Sequence, residues 1–265
     1  MSAIKRSAIV WRYINLDHRA DRRVHIAGEL ARAGVTASRF AALTKDDYNG
    51  PPERIAGMLG TPNTIGNWLS HLQLWRDVAG TDRIAGVLED DALLCDDFQE
   101  RLEIVERVFD EHDLPWDIFY LGATYHVNPP MWHASDIGRD FELTGIRYIH
   151  RVYGAFSNQG YLVNGQSADR LLAMMEEAMP TAHGSDHAMI GLQPKLNCYS
   201  FTPGMVFQID GRSDIGNGVT MFSSFFQSLG PHVWCNRLDE FDYDAYNWGP
   251  GRIVYLDDRE SDPNG

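Results

Sequence analysis

At 265 residues the chain is long enough to bury a substantial core, as one large domain or as two small ones. Its composition, 44% hydrophobic and 23% charged, is ordinary for a soluble enzyme, and 23 basic against 37 acidic residues give a formal charge of −14. That charge repels phosphate backbones and anionic membranes at long range, which argues against nucleic acid as the main partner.

Residues 8–16 are apolar and β-rich and run into Asn15-Leu16-Asp17, a strand-to-helix turn. Arg12 interrupts this stretch, so it reads as neither signal peptide nor anchor, and no later run approaches the roughly 18 to 20 apolar residues of a membrane helix. Ala20, Val24, Ala27, Leu30 and Ala31 then recur at helical spacing, with Gly34 as the stop. Strand, turn and helix in that order suggest an α/β nucleotide-binding half. Residues 38–41 offer a second strand, and residues 46–62, containing Asn49-Gly50-Pro51-Pro52, read as a loop. A helix is predicted over 64–78, with Ile65, Trp68, Leu69, Leu72 and Trp75 on one stripe.

The next strand, Ile84-Ala85-Gly86-Val87-Leu88, ends abruptly in Glu89-Asp90-Asp91. Strand alternation would point Glu89 and Asp91 one way and Asp90 the other. Two carboxylates on one face, with no Lys or Arg among their sequence neighbours, call for a cation, and hard oxygen ligands suit Mg²⁺ or Mn²⁺ and hence a diphosphate. The competing reading is an acidic cap for the helix that follows. That helix is predicted over 97–111, with Phe98, Leu102, Val105 and Phe109 as its apolar face, and residues 116–122 read as another buried strand. Residues 125–139 have no clean period and read as a surface excursion. Strands are predicted over 147–152 and 160–163, and Ser167 as the N-cap of a helix reaching 178. No repeat and no long linker appears, so the expected organisation is one α/β domain over 1–255 with a flexible polar tail over 256–265. Cys95, Cys198 and Cys235, odd in number and far apart, give neither a zinc spacing nor a disulfide framework and point to a reducing, cytoplasmic compartment.

Seven short stretches, in order, resemble glycosyltransferase family 25, the lipooligosaccharide and collagen galactosyltransferase group. They are Asn15-Leu16-Asp17 with Arg19, Asp21 and Arg22; Ser70-His71 with Trp75; Leu88-Glu89-Asp90-Asp91; Trp116-Asp117 leading to Leu121-Gly122; Gly160-Tyr161-Leu162-Val163; Asp186 in Gly-Ser-Asp-His; and Gln208 with Ser213-Asp214-Ile215. The chain departs from the family pattern at Gly66-Asn67, where Gly-Cys is expected, and at Gly184-Ser185, where a proline is expected before the Asp. Residues 220–265 carry no resemblance.

The resemblance implies a single GT-A type nucleotide-diphospho-sugar transferase domain, an α/β fold with a Rossmann-like mixed sheet flanked by helices. It implies a UDP-sugar donor, galactose before glucose, and a saccharide, lipid-linked glycan or glycosylated protein as acceptor, with inversion at the anomeric carbon. In such a transfer negative charge builds on the departing diphosphate, and Mn²⁺ or Mg²⁺ bridging the phosphates stabilises it. Glu89 and Asp91 are the candidate metal ligands, with Asp214 as a third. Asn15, Asp17, Arg19, Arg22, Ser70, His71, Asp90, Gln208 and Ser213 are the candidate donor-binding residues, and Asp186 is the candidate base, with His187 as substitute. The residues alone leave local readings open: a capped helix start for Asp17 to Arg22, a satisfied core histidine for His71, a turn for Asp214, and a cap of the following segment for Asp186. Tyr125, Trp132, Trp234, Tyr246 and Trp248 are candidates for a sugar platform or for plain packing. Two other functions compete, a catalytically degenerate nucleotide-sugar-binding scaffold and a glycoside hydrolase, since paired carboxylates also serve there.

Overall fold

The computed structural model describes residues 3–58, 61–122, 141–154, 158–212, 214–215, 219–220 and 234–245. An apolar strand, β1 (Ile9–Asn15), opens the chain and feeds helix α1 (Ala20–Arg32), which closes at Gly34 with φ 65°, a left-handed value that glycine adopts without strain. Strand β2 (Ser38–Ala41) follows. The predicted loop over 46–62 is corrected: Pro52 starts a short helix, α2 (Pro52–Ala56), its fixed φ suiting a first helical turn. Helix α3 (Pro62–Arg76) is capped by Thr61, whose hydroxyl accepts from Thr64 N. More than one stripe of α3 is buried, including Ser70, His71 and Leu74.

Strands β3 (Ile84–Glu89) and β4 (Ala92–Leu94) are separated by a turn at Asp90-Asp91, and α4 (Phe98–Glu111) comes after. The acids therefore do not cap α4; a whole strand intervenes. The remaining elements are β5 (Ile118–Tyr120), β6 (Phe141–Leu143), β7 (Ile149–Val152), β8 (Gly160–Asn164), α5 (Gly165–Ala178), α6 (Ser185–Leu192), β9 (Cys198–Phe201), β10 (Val206–Gln208), β11 (Gly211–Arg212) and β12 (Val219–Thr220). Asn164, not Ser167, caps α5, its side chain accepting from Gln166 N; Ser167 instead donates to the buried Asp117 at 2.6 Å.

Eight strands form one mixed sheet in the order β2-β1-β3-β8-β5-β9-β7-β6. The β1–β2, β1–β3 and β5–β9 pairs are parallel and the others antiparallel. Because side chains alternate along a strand, each strand feeds two cores. Val87, Ile118, Tyr161 and Val163 pack with α3 and α5 on one face, while Leu88, Phe119, Leu162 and Tyr199 pack with α1 and α4 on the other. The parallel register places Ile14 beside Glu89, so the carboxyl ends of β1 and β3 lie side by side. The antiparallel pair β10–β4 brings Gln208 opposite Ala92, next to the same edge. The predicted polar tail, and Tyr125, Trp132, Tyr246 and Trp248, lie outside the described residues; Trp234 packs on Phe207 with ring centroids 5.5 Å apart.

Candidate active site

Open α/β sheets bind ligands at the carboxyl ends of their strands, and here that edge carries an unusual density of charge. Asn15, buried at the end of β1, donates from Nδ2 to Asp90 Oδ2 (2.7 Å) and accepts at Oδ1 from Arg23 Nε (3.1 Å) and Arg39 Nε (2.9 Å). Arg22, on the first turn of α1, donates from one nitrogen to both Asp90 Oδ1 (3.0 Å) and Asp91 Oδ2 (2.7 Å). Its other terminal nitrogen holds the Arg212 carbonyl at 2.8 Å. Gln208 completes the cluster, donating to Asp91 Oδ2 at 3.0 Å.

This corrects the pairing read from strand alternation. The chain turns after Glu89, so Asp90 and Asp91 share a cation while Glu89 looks toward α3, and the cation that the acids lacked in sequence is Arg22. Asp214 does not join them: its carboxylate pairs with Arg19, which also binds Asp21. Among the described residues no three His, Cys, Asp or Glu side chains gather to hold a metal ion, so the expected set of Glu89, Asp91 and Asp214 does not converge. Asp91 does keep one buried carboxylate oxygen, Oδ1, without a hydrogen-bond partner. A single such oxygen could serve only a cation that takes nearly all its other ligands from water and substrate phosphates. Burial, reinforced by the Glu89 charge, pushes the Asp91 carboxyl above the usual carboxylate range against the pull of Arg22, and burial raises Asp90 as well.

Asp17 is exposed and paired with Arg39. Ser213 lies outside the described residues. Ser70 faces away from solvent: its hydroxyl donates to Gly66 O and accepts from Leu43 N, both at 2.8 Å, stitching α3 to the chain after β2. His71 is fully buried between Tyr161 OH (2.7 Å) and Glu89 Oε1 (3.4 Å). Asp186 sits half-exposed in the first turn of α6, its Oδ1 accepting from His187 N (2.8 Å) and meeting His187 Nδ1 at 3.1 Å. Hydrogen bonds and charge from His187 outweigh its burial and hold its carboxyl below the usual range.

Sequence reading missed Arg23, Arg39 and Asn67. Arg39 had a usable signal, standing in β2 beside the first strand's end. Asn67 had one too, four residues before His71 and hence on the same helix face. Arg19, Arg22, Arg23 and Arg39 gather at this edge, where Asp17, Asp21, Asp90, Asp91 and Asp214 balance their charge.

The open sheet with this acid and arginine edge defines the class, a nucleotide-diphospho-sugar transferase domain. The chain belongs to glycosyltransferase family 25: the family described as "Glycosyltransferase family 25 (LPS biosynthesis protein)" matches residues 12–189. Procollagen galactosyltransferase 1-B of Xenopus laevis is 26% identical over 181 residues, 60% of this chain and 27% of that protein. Probable inactive glycosyltransferase 25 family member 3 of Rattus norvegicus is 37% identical over 177 residues, 64% of this chain and 30% of that protein. Inactive glycosyltransferase 25 family member 3 of Mus musculus is 30% identical over 211 residues, 72% and 35% of the two chains. The chain spans about a third or less of the length of these relatives.

Proposed function

We propose that the chain is a metal-dependent hexosyltransferase that moves galactose, or else glucose, from a UDP-sugar to a saccharide, lipid-linked glycan or glycosylated protein acceptor with inversion. The observation that carries this is the Asp90–Asp91 turn, buried at the carboxyl edge, flanked by Arg22 and Gln208 and left with one carboxylate oxygen unpartnered. The name of the Xenopus relative supports galactose as the sugar. Asp91, with Glu89 or Asp90, would hold Mn²⁺ or Mg²⁺, which when bound offsets charge on the departing diphosphate. Arg19 and Arg22 bind phosphate oxygens, Asn15 and Asp90 orient the ribose or sugar, and Gln208 orders the Asp91 carboxylate. Asp186, kept ionised, takes the proton from the attacking hydroxyl. The proposed compartment is the cytoplasm; no helix among the described residues is long and apolar enough to cross a membrane.

Thermal melting tests the reading. UDP with Mn²⁺ raises the melting temperature more than UDP or Mn²⁺ alone, and Asp91→Ala abolishes the difference; an unchanged metal-dependent shift in that variant removes Asp91 from the site. A second reading, a nucleotide-sugar-binding scaffold, is favoured by the relatives named inactive. Hydrolysis of UDP-galactose or UDP-glucose separates the two: binding without turnover of any UDP-hexose supports the scaffold.

A further inference from the structure

Among the described residues a polar chain connects the acidic edge to the start of α6. Asn67 Nδ2 donates to Glu89 Oε1 at 3.1 Å, and Ser185 Oγ donates to Asn67 Oδ1 at 2.8 Å. Asn158 Nδ2 in turn donates to Ser185 Oγ at 2.9 Å. The amide's orientation is dictated by chemistry, because a carboxylate only accepts and must face the NH₂ group, leaving the carbonyl for the serine. On the other side of Glu89, Trp75 Nε1 donates to Tyr161 OH (3.0 Å). Tyr161 OH in turn meets His71 Nδ1 at 2.7 Å, and His71 Nε2 lies 3.4 Å from Glu89 Oε1 and 3.4 Å from Asn67 Nδ2. Gly66, which precedes Asn67, packs so closely on the chain after β2 that a Cβ there would meet Leu43 O at 2.4 Å.

We propose that Asn67 is a positioning residue that couples the Glu89 carboxylate to the first turn of α6, and through it to Asp186. The proposal rests on the transferase reading above. Asn67 lies between two elements of the site, one bearing the acids at the donor's diphosphate and the other bearing the base. Its single amide sets their separation, so its loss leaves donor capture largely intact and disturbs the geometry of the transfer step. Ser185 is the second half of the same link and shares its fate.

The test is steady-state hydrolysis of UDP-galactose in the presence of Mn²⁺, with water as acceptor, for the full chain and for Asn67→Ala, Ser185→Ala and the double variant. Asn67→Ala and Ser185→Ala each lower kcat about tenfold or more, with KM for UDP-galactose within about twofold. The double variant is no worse than the poorer single one, because both break one link. Asn67→Asp, which keeps the serine's acceptor but sets a charge against Glu89, is at least as impaired as Asn67→Ala. A folded Asn67→Ala with unaltered kcat, losses that multiply in the double variant, or a change confined to KM would each overturn the role. Should Asn67→Ala fail to fold, Ser185→Ala and its kcat-against-KM split decide alone, since it removes only a hydroxyl. No turnover of any UDP-hexose by the unaltered protein instead refutes the transferase reading and the proposal with it.

Discussion

Arg22 spends one guanidinium nitrogen on two carboxylates, and this single side chain resolves what the acidic run could not show by itself. In sequence, Glu89, Asp90 and Asp91 look like uncompensated charge. In the fold, Arg22 arrives from 68 and 69 positions away to meet Asp90 and Asp91, and Asp91 Oδ1 is left buried without a hydrogen-bond partner. Asp186 and His187 form the other charged pair of interest. The Asp186 hydrogen bond holds the His187 imidazole above its ordinary value of 6.5, while Asp186 itself is lowered. For the histidine the pairing favours the fold below 6.5 and is lost as pH rises through the raised value. NMR titration of His187 should therefore give a midpoint above 6.5, and Asp186→Asn should move it downward. An unshifted midpoint in the variant would show that the pair does not persist in solution.

Among elements, α4 shows how a charged side chain escapes periodicity. Its apolar face, Phe98, Leu102, Val105 and Phe109, is buried as the spacing predicts, yet Arg101 is equally buried. Arg101 pairs with Asp97 at 2.7 Å and donates to the carbonyls of Pro203 and Gly204 (both 3.0 Å) and Cys235 (2.8 Å), tying α4 to two distant segments. Arg101→Met removes the donor to three carbonyls and the cation partner of Asp97, whose other oxygen keeps Leu238 N, with an expected loss of about 3 to 5 kcal/mol in urea unfolding. A loss under about 1 kcal/mol would mean that the clamp is dispensable. The elements the spacing predicts, from β1 to α5, fall within a few residues of their expected bounds, because 3.6- and 2-residue periods are local properties. The short strands β4, β6 and β9 to β12 have no counterpart in that reading. Other differences have local causes: Pro52 starts α2 inside a predicted loop, Asn164 displaces Ser167 as a cap, and the turn at Asp90-Asp91 breaks the alternation that paired Glu89 with Asp91.

Across the molecule, one eight-stranded sheet is shared by two core layers, with α3 and α5 over one face and α1 and α4 over the other. Neither layer can be exposed without opening strands that the other packs on. Unfolding in urea should thus be a single transition, with coincident midpoints by tryptophan fluorescence and far-UV circular dichroism. Two resolved midpoints would divide the chain into separate units. The sequence alone determined the α/β class, the strand that delivers the acids and the family, because these reside in short contiguous patterns at strand ends. Only the tertiary structure decided that Arg22 rather than a neighbouring side chain meets Asp90 and Asp91, that Asp214 belongs to Arg19, and that Asn67 joins Glu89 to α6. Those pairings depend on which sheet edges and helix ends are brought together, and no local period encodes a partner many residues away.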